Sequence, residues 1–157
     1  MPRHTYEKRV IAKDPLYGSY EVAKLINFVM RDGKKTVAQE IVYDVFRKMQ
    51  DEKKDPLKVL GDAIRNVAPN YEVKPKRLGG ASYLVPIEVR KDRKLFLALN
   101  WIIETAKSRS NKTYHTFKDK LYTELTEAAQ NQGNAVAKRL QTERLAEANK
   151  AFAHLRW

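Results

Sequence analysis

The chain has 157 residues, 43% of them hydrophobic, and its 31 Lys and Arg residues against 19 Asp and Glu residues give a formal net charge of +12. That length suffices for one domain with a buried core, and the absence of cysteine excludes disulfide scaffolds and thiolate chemistry. The sequence contains no apolar run long enough to cross a membrane, and its positive charge favours a polyanionic partner.

The first segment, residues 1–18, reads as an irregular arm with the cations Arg3, Lys8, Arg9 and Lys13. Its second half contains the turn-forming pairs Asp14-Pro15 and Tyr17-Gly18. We expect this arm to become ordered on a partner. A frayed terminus is the alternative that the sequence leaves open.

Three helices are predicted before residue 70 from apolar residues at helical spacing. The first covers about residues 19–30, with Ser19 as its cap and Gly33 in the left-handed turn that follows. The second begins near Thr36, in a capping box, and the third begins at Asp55, which precedes a proline. The side chains expected to face the core are Val22, Leu25, Ile26 and Val29, then Val37, Ile41, Val42, Val45, Phe46 and Met49, then Leu57, Leu60, Ile64 and Val67.

Residues 71–90 interrupt the helices with a predicted β-hairpin. Gly79 and Gly80 supply the positive φ angles of a tight turn, and the residues after them are rich in β-branched and aromatic side chains. Pro75 and Pro86 fit a strand only where no ladder N–H is needed. The hairpin is therefore expected to be a two-stranded ribbon with free edges, which needs helices or a partner for order. A solvated link between two helices is the alternative.

Three more helices follow, at about residues 92–108, 113–130 and 134–150. The side chains expected to face the core are Leu95, Phe96, Leu99, Ile102, Ile103 and Ala106, then Phe117, Leu121, Leu125 and Ala128, then Val136, Leu140 and Leu145. The tail, residues 151–157, offers three anchors, Phe152, His154 and Trp157. The predicted fold class is mainly α: a six-helix single domain, residues 1–157, with a protruding two-stranded β-hairpin between helices three and four.

The excess positive charge is unevenly distributed, because residues 73–120 hold 12 basic and 4 acidic side chains. Cations also stand at two helix starts, Lys34 and Lys35 at the second helix and Arg90, Lys91 and Arg93 at the fourth. Each of these cations destabilises its helix by about 0.3–1 kcal/mol when exposed, because it lies at the positive end of the helix dipole. A bound phosphate would remove this cost, because the cations and the N-terminal amides would then bind the same anion. Screening by solvent is the alternative.

Three tyrosines near basic residues, Tyr71, Tyr83 and Tyr114, are candidates for stacking on unpaired bases. Packing in the core is the alternative for each. Signatures of catalysis are missing, because His4, His115 and His154 lie far apart and no glycine-rich phosphate loop follows a strand. No enzymatic activity, cofactor or metal is therefore predicted.

Five segments carry a resemblance to a known family: DPLYGS at 14–19, MRDGKKTVAQEIVY at 30–43, NVAPNYEVKPKRLGGASYLVPIEVR at 66–90, LALNWIIETAKSRSNKT at 97–113 and AEANKAFAHLRW at 146–157. In these the chain resembles bacterial-type ribosomal protein seven of the small subunit, the universal ribosomal protein seven family. The segments span essentially the whole sequence, and the hairpin and C-terminal segments are specific.

The resemblance implies six helices with a protruding ribbon, and a structural role in the small subunit of the cytoplasmic ribosome. It implies primary binding to the 3′ major domain of 16S-type rRNA, early enough to nucleate assembly of the head. It also implies a position at the subunit interface, near exit-site tRNA and the mRNA path, beside ribosomal proteins nine and eleven. Repression of its own operon's message is the alternative function, and a carboxylate nuclease is the third hypothesis.

The resemblance also assigns RNA-facing residues by position, to which we add Tyr114 for stacking: Arg3, Lys8, Arg9, Lys34, Lys35, Lys74, Lys76, Arg77, Arg90, Lys91, Arg93, Arg109, Lys112 and Tyr114. Three features depart from the family pattern. Pro75 replaces a small polar residue, Lys76 replaces an arginine and so lacks its bidentate fork, and Ser108 and Ser110 replace a glycine and an arginine. These departures change the side chains that are available for the family's contacts at those positions.

Overall fold

A computed structural model describes residues 11–155. Within that range the chain forms six α-helices, one short 3-10 helix and one β-hairpin, which confirms the predicted fold class. In order these are α1 (Tyr20–Val29), α2 (Lys35–Asp51), α3 (Pro56–Val67), β1 (Tyr71–Leu78), β2 (Ala81–Glu88), α4 (Lys91–Ser108), α5 (Phe117–Ala129), α6 (Asn134–Ala148) and the 3-10 helix Lys150–Leu155.

The core lies between the helices, and α5 packs against α2, α3 and α4. Its largest fully buried apolar side chains come from five helices: Leu25, Ile26, Phe46, Met49, Leu60, Leu99, Ile102, Leu121 and Leu125. All nine were placed on inward faces by their spacing in the sequence. Burial of such side chains is the main favourable term in folding, at about 1.5–3 kcal/mol each.

The predicted start of α3 is confirmed, because the Asp55 carboxylate accepts hydrogen bonds from the backbone N–H groups of Leu57 and Lys58. The capping box predicted at Thr36 is wrong. Helix α2 begins one residue earlier, with Lys34 at the cap position, and the Lys34 side chain makes no capping hydrogen bond. Ser19 occupies the cap position of α1 but its side chain makes no capping hydrogen bond.

Several side chains predicted to face the core are exposed instead. Val37 is 49% exposed, Leu57 is 39% exposed and Phe96 is 45% exposed. Leu140 and Leu145 are also exposed, because α6 packs through Ala135, Val136 and Ala146 instead. The apolar residues of α6 do not gather on one face, so their spacing does not identify its buried side.

The hairpin is antiparallel, with Leu78 opposite Ala81 and Tyr71 opposite Glu88. Gly79 and Gly80 have φ angles of 57° and 87°, as the predicted two-residue turn requires. The hairpin leans on the C-terminal elements: β1 contacts α6, and in the outer part of the hairpin the Tyr83 ring lies 5.2 Å from the Phe152 ring, centroid to centroid. Phe152 is thus an anchor as predicted, whereas His154 is exposed and Trp157 lies outside the described residues.

The second half of the predicted arm is folded against α2. The buried Asp14 carboxylate accepts hydrogen bonds from the N–H groups of Leu16 and Tyr17, at 3.1 and 3.0 Å, and from the Tyr43 hydroxyl, at 2.7 Å. The predicted turns at residues 14–18 are therefore held by hydrogen bonds within the chain. Arg3, Lys8 and Arg9 lie outside the described residues.

Burial and the hydrogen bond to Asp14 raise the pKa of Tyr43 to about 12. Since an unfolded tyrosine titrates near pH 10, the neutral phenol stabilises the fold below about pH 10, and that contribution is lost as the pH rises to about 12. We expect Tyr43→Phe to lower the free energy of unfolding by about 1 kcal/mol at neutral pH. Urea unfolding from pH 7 to 12 should show this difference shrinking above pH 10; a constant difference would contradict the assignment.

Candidate nucleic-acid interface

The outer part of the hairpin presents cations on both of its faces. In the observed register Lys74 and Lys76 share one face with Tyr83, and Arg77 points to the other, beside Pro75 and its partner Leu84. Lys74 and Arg77 are exposed and Lys76 is half-buried. Both faces of the ribbon therefore carry positive charge, but the face of Lys76 is partly covered where Tyr83 packs on Phe152.

The base of the hairpin is joined to the start of α4. The Arg93 guanidinium lies 3.2 Å from the Glu72 carboxylate, and Lys94 donates a 2.8 Å hydrogen bond to the Asn70 side chain. Arg90 and Lys91 stay exposed, and Arg90 occupies the cap position of α4 without capping it through its side chain. These contacts hold the ribbon and the first turn of α4 together.

A second group of cations surrounds the turn between α1 and α2. Asp32 and Gly33 have φ angles of 52° and 72°, and the Lys34 N–H donates a 3.0 Å hydrogen bond to the Arg31 carbonyl. Lys34 and Lys35 are exposed at the start of α2, which has no acidic residue in its first turn. The positive end of the helix dipole and two lysines therefore face solvent together.

Helix α4 links the two groups. Arg93 and Lys107 are 14 residues apart, close to four helical turns, so they lie on the same side of α4 about 21 Å apart. Both are exposed. Between them lies Glu104, which pairs with Lys138 at 2.7 Å. One side of α4 therefore runs from the hairpin cations to the cations of the α1–α2 turn.

The connection from α4 to α5 contains Arg109, Lys112 and Tyr114. The Arg109 guanidinium is only 10% exposed and contacts the carboxylate of Glu124 at 2.6 Å and that of Glu127. Burial would lower the pKa of Arg109, but its hydrogen bonds to Glu127 and Glu124 outweigh burial and raise that pKa above its usual value. Arg109 therefore neutralises carboxylates within the fold. The predicted RNA contact of Arg109 stays a prediction, which its burial and its ion pairs do not favour. Lys112 is exposed.

The three candidate stacking tyrosines differ in surroundings. Tyr83 packs on Phe152, and the Tyr114 ring lies 5.6 Å from the Arg109 guanidinium carbon. Tyr71 is 50% exposed. Tyr83 and Tyr114 therefore pack against other side chains of the protein. Of the three tyrosines, Tyr71 is the one whose side chain is largely exposed for stacking.

The same region contains buried charges that sequence reasoning missed. Glu124 is fully buried and also accepts a 2.9 Å hydrogen bond from the N–H of Ala135, at the start of α6. The buried Lys120 donates to the Arg109 carbonyl and the Asn111 side chain, both at 2.6 Å. Glu124 follows Leu121 by three residues and so shares its inward side, which is the signal that could have revealed it.

Two exposed cations, Arg31 and Lys107, were also missed as candidates. Lys107 could have been found from its four-turn spacing to Arg93. Within residues 11–155 no group of three or more His, Cys, Asp or Glu side chains could hold a metal ion. No helix in this range is long and apolar enough to span a bilayer.

The sequence pattern of the family described as "Ribosomal protein S7p/S5e" matches residues 1–150. Small ribosomal subunit protein uS7 of Caldicellulosiruptor bescii is 52% identical over 159 aligned residues, which cover 100% of both chains. The proteins of the same name from Thermotoga maritima and Moorella thermoacetica are 51% and 49% identical, again over 100% of both chains. Similarity of this extent confirms the resemblance seen in the motifs, and the chain belongs to the ribosomal protein S7p/S5e family.

Proposed function

We propose that this chain binds small-subunit rRNA directly, through the hairpin, the exposed side of α4 and the α1–α2 turn. As a member of its family it is a structural, non-enzymatic component of the small subunit of the cytoplasmic ribosome. The observation that supports direct RNA binding is the alignment of two cation groups along one side of α4.

The chemistry of these groups suits a folded RNA. Lysine and arginine side chains contact phosphates without reading bases, and such contacts fix position and orientation. A double-stranded RNA region is recognised mainly by its shape and backbone. Cations at the two ends of one side of α4, where Arg93 and Lys107 are about 21 Å apart, would contact separate backbone segments, so the chain would hold several rRNA helices in a fixed arrangement.

The finer placement follows from the family resemblance. The rRNA target would be the 3′ major domain, whose folding into the head the protein would nucleate. The hairpin would lie at the subunit interface, near exit-site tRNA and the mRNA path, and ribosomal proteins nine and eleven would be neighbours. The exposed hairpin tip, with Leu78 48% exposed and Leu84 38% exposed, is compatible with such contacts.

Charge reversal at the hairpin tests the proposal. We expect Lys76→Glu with Arg77→Glu to weaken binding to a 3′ major domain rRNA fragment by on the order of tenfold or more, and to reduce its salt dependence. The matched control is Lys53→Glu with Lys58→Glu, which changes the net charge equally at two exposed positions far along the chain from the hairpin. Filter binding at several salt concentrations measures both; equal losses in the two variants would contradict a role for the hairpin.

The alternative function, repression of its own operon, uses the same cations. Binding to the operon leader RNA is measured beside the rRNA fragment at one salt concentration. Tighter binding to the leader would make repression the primary function, whereas we expect tighter binding to the rRNA fragment.

A further inference from the structure

An open cavity of about 320 Å³ lies where α1 ends and α2, α4 and α5 meet. Its volume is at the lower end of the roughly 300–1,000 Å³ typical of small-ligand pockets. The wall is apolar and is formed by Val29, Met30, Val37, Ala38, Ile41 and Phe117. The exposure of Val37, unexpected for its place in the apolar stripe, is explained by its position in this wall.

Three exposed cations, Arg31, Lys34 and Lys107, form the rim of the cavity. Burial, and then the charge of Arg31, lower the pKa of Lys107, as expected for cations held close together. Within residues 11–155 none of the three forms an ion pair with an acidic side chain. An apolar wall with a cationic rim matches a ligand that has an apolar body and a negative charge.

We propose that this cavity receives one unpaired nucleotide of the bound RNA, with its base against the apolar wall and its phosphate among the three cations. The inference rests on the proposed function and deepens it. The cavity is continuous with the interface, because Lys107 lies on the same side of α4 as Arg93. That continuity favours RNA over an acidic peptide as the occupant.

A base bound in the cavity would add recognition of RNA sequence, which phosphate contacts do not provide. Cations at the two ends of this side of α4 hold any polyanion, whereas sequence-specific recognition of RNA targets bases that have left the stack. The turn of residues 31–34, closed by the Lys34 N–H to Arg31 carbonyl hydrogen bond, would fix two of the three rim cations in advance. The nucleotide would therefore set the register of the protein on its RNA.

Filling the cavity without changing charge tests this proposal. We expect Val37→Trp to weaken binding to the 3′ major domain rRNA fragment by about 5- to 150-fold, the usual range for the loss of one base stacked on an aromatic side chain. The slope against salt should fall by at most about one, because excluding the nucleotide removes at most its own phosphate contact and no cation is lost. The matched control is Leu57→Trp, at a similarly exposed apolar position on α3, which should bind as the unmodified chain does.

Ultraviolet crosslinking of the unmodified chain to the same fragment gives a second readout that needs no variant to fold. We expect an RNA adduct at Phe117, mapped by mass spectrometry. Adducts confined to the hairpin, or unchanged binding of the fragment by Val37→Trp, would overturn the inference while the proposed function stands. Failure of the unmodified chain to bind the fragment would overturn both. If Val37→Trp keeps its RNA affinity but blocks addition of a protein neighbour, the occupant is a peptide and the nucleotide is excluded.

Discussion

Replacing Arg109 with methionine is expected to lower the free energy of unfolding by about 3–5 kcal/mol, the usual effect of removing one partner from a buried ion pair. The change leaves the Glu124 carboxylate fully buried without the guanidinium that neutralises it. One hydrogen bond, from the Ala135 N–H, would remain. Because this network ties the end of α4 to α5 and the start of α6, its loss should loosen all three helices.

The matched control is Arg65→Met, since Arg65 pairs with Asp62 at 2.7 Å but is 77% exposed. An exposed pair of this kind contributes about 0–1 kcal/mol. Urea unfolding followed by circular dichroism measures both variants. Equal, small losses would show that solvent reaches Glu124, and would restore Arg109 as a candidate for RNA contact.

The elements that sequence predicts well here are specified by neighbouring residues. Gly79 and Gly80 determine the turn, and the alternation around them determines the strands, so the hairpin follows from a short stretch. The start of α3 is predictable for the same reason, because the Asp55 carboxylate caps N–H groups only two and three residues further along the chain. The family motifs add the order of the elements, which local chemistry alone does not determine.

The parts that sequence misses depend on what each residue meets in three dimensions. Val37 and Leu57 fit the apolar stripes of α2 and α3, yet no helix within residues 11–155 covers them. Glu124 is buried because a guanidinium 15 residues before it in the chain reaches its carboxylate. The contrast between Arg109, which is internal, and Lys34, which is exposed, likewise depends on tertiary contacts, and composition treats the two as equivalent cations.

The binding of the unmodified chain to the rRNA fragment is expected to weaken by about 10³ to 10⁵ between 50 and 200 mM salt, as for proteins that make six to ten phosphate contacts. The described interface supplies enough cations for that number of contacts: Lys34, Lys35, Lys74, Lys76, Arg77, Arg90, Lys91 and Arg93, all exposed or half-buried. A loss below tenfold over this range would mean that most of them face away from RNA.

The two ends of the interface should contribute separately. We expect Lys34→Ala with Lys35→Ala, and Lys74→Ala with Arg77→Ala, each to reduce the slope of log affinity against log salt by about two. Because Arg93 and Lys107, which lie on α4 beside the two groups, are about 21 Å apart, we expect the groups to share no contacts, and the fourfold variant should show the sum of the two changes. If either pair left the slope unchanged, the two groups would not contact one RNA together. The proposal that one side of α4 joins them into a single RNA-binding surface would then be wrong.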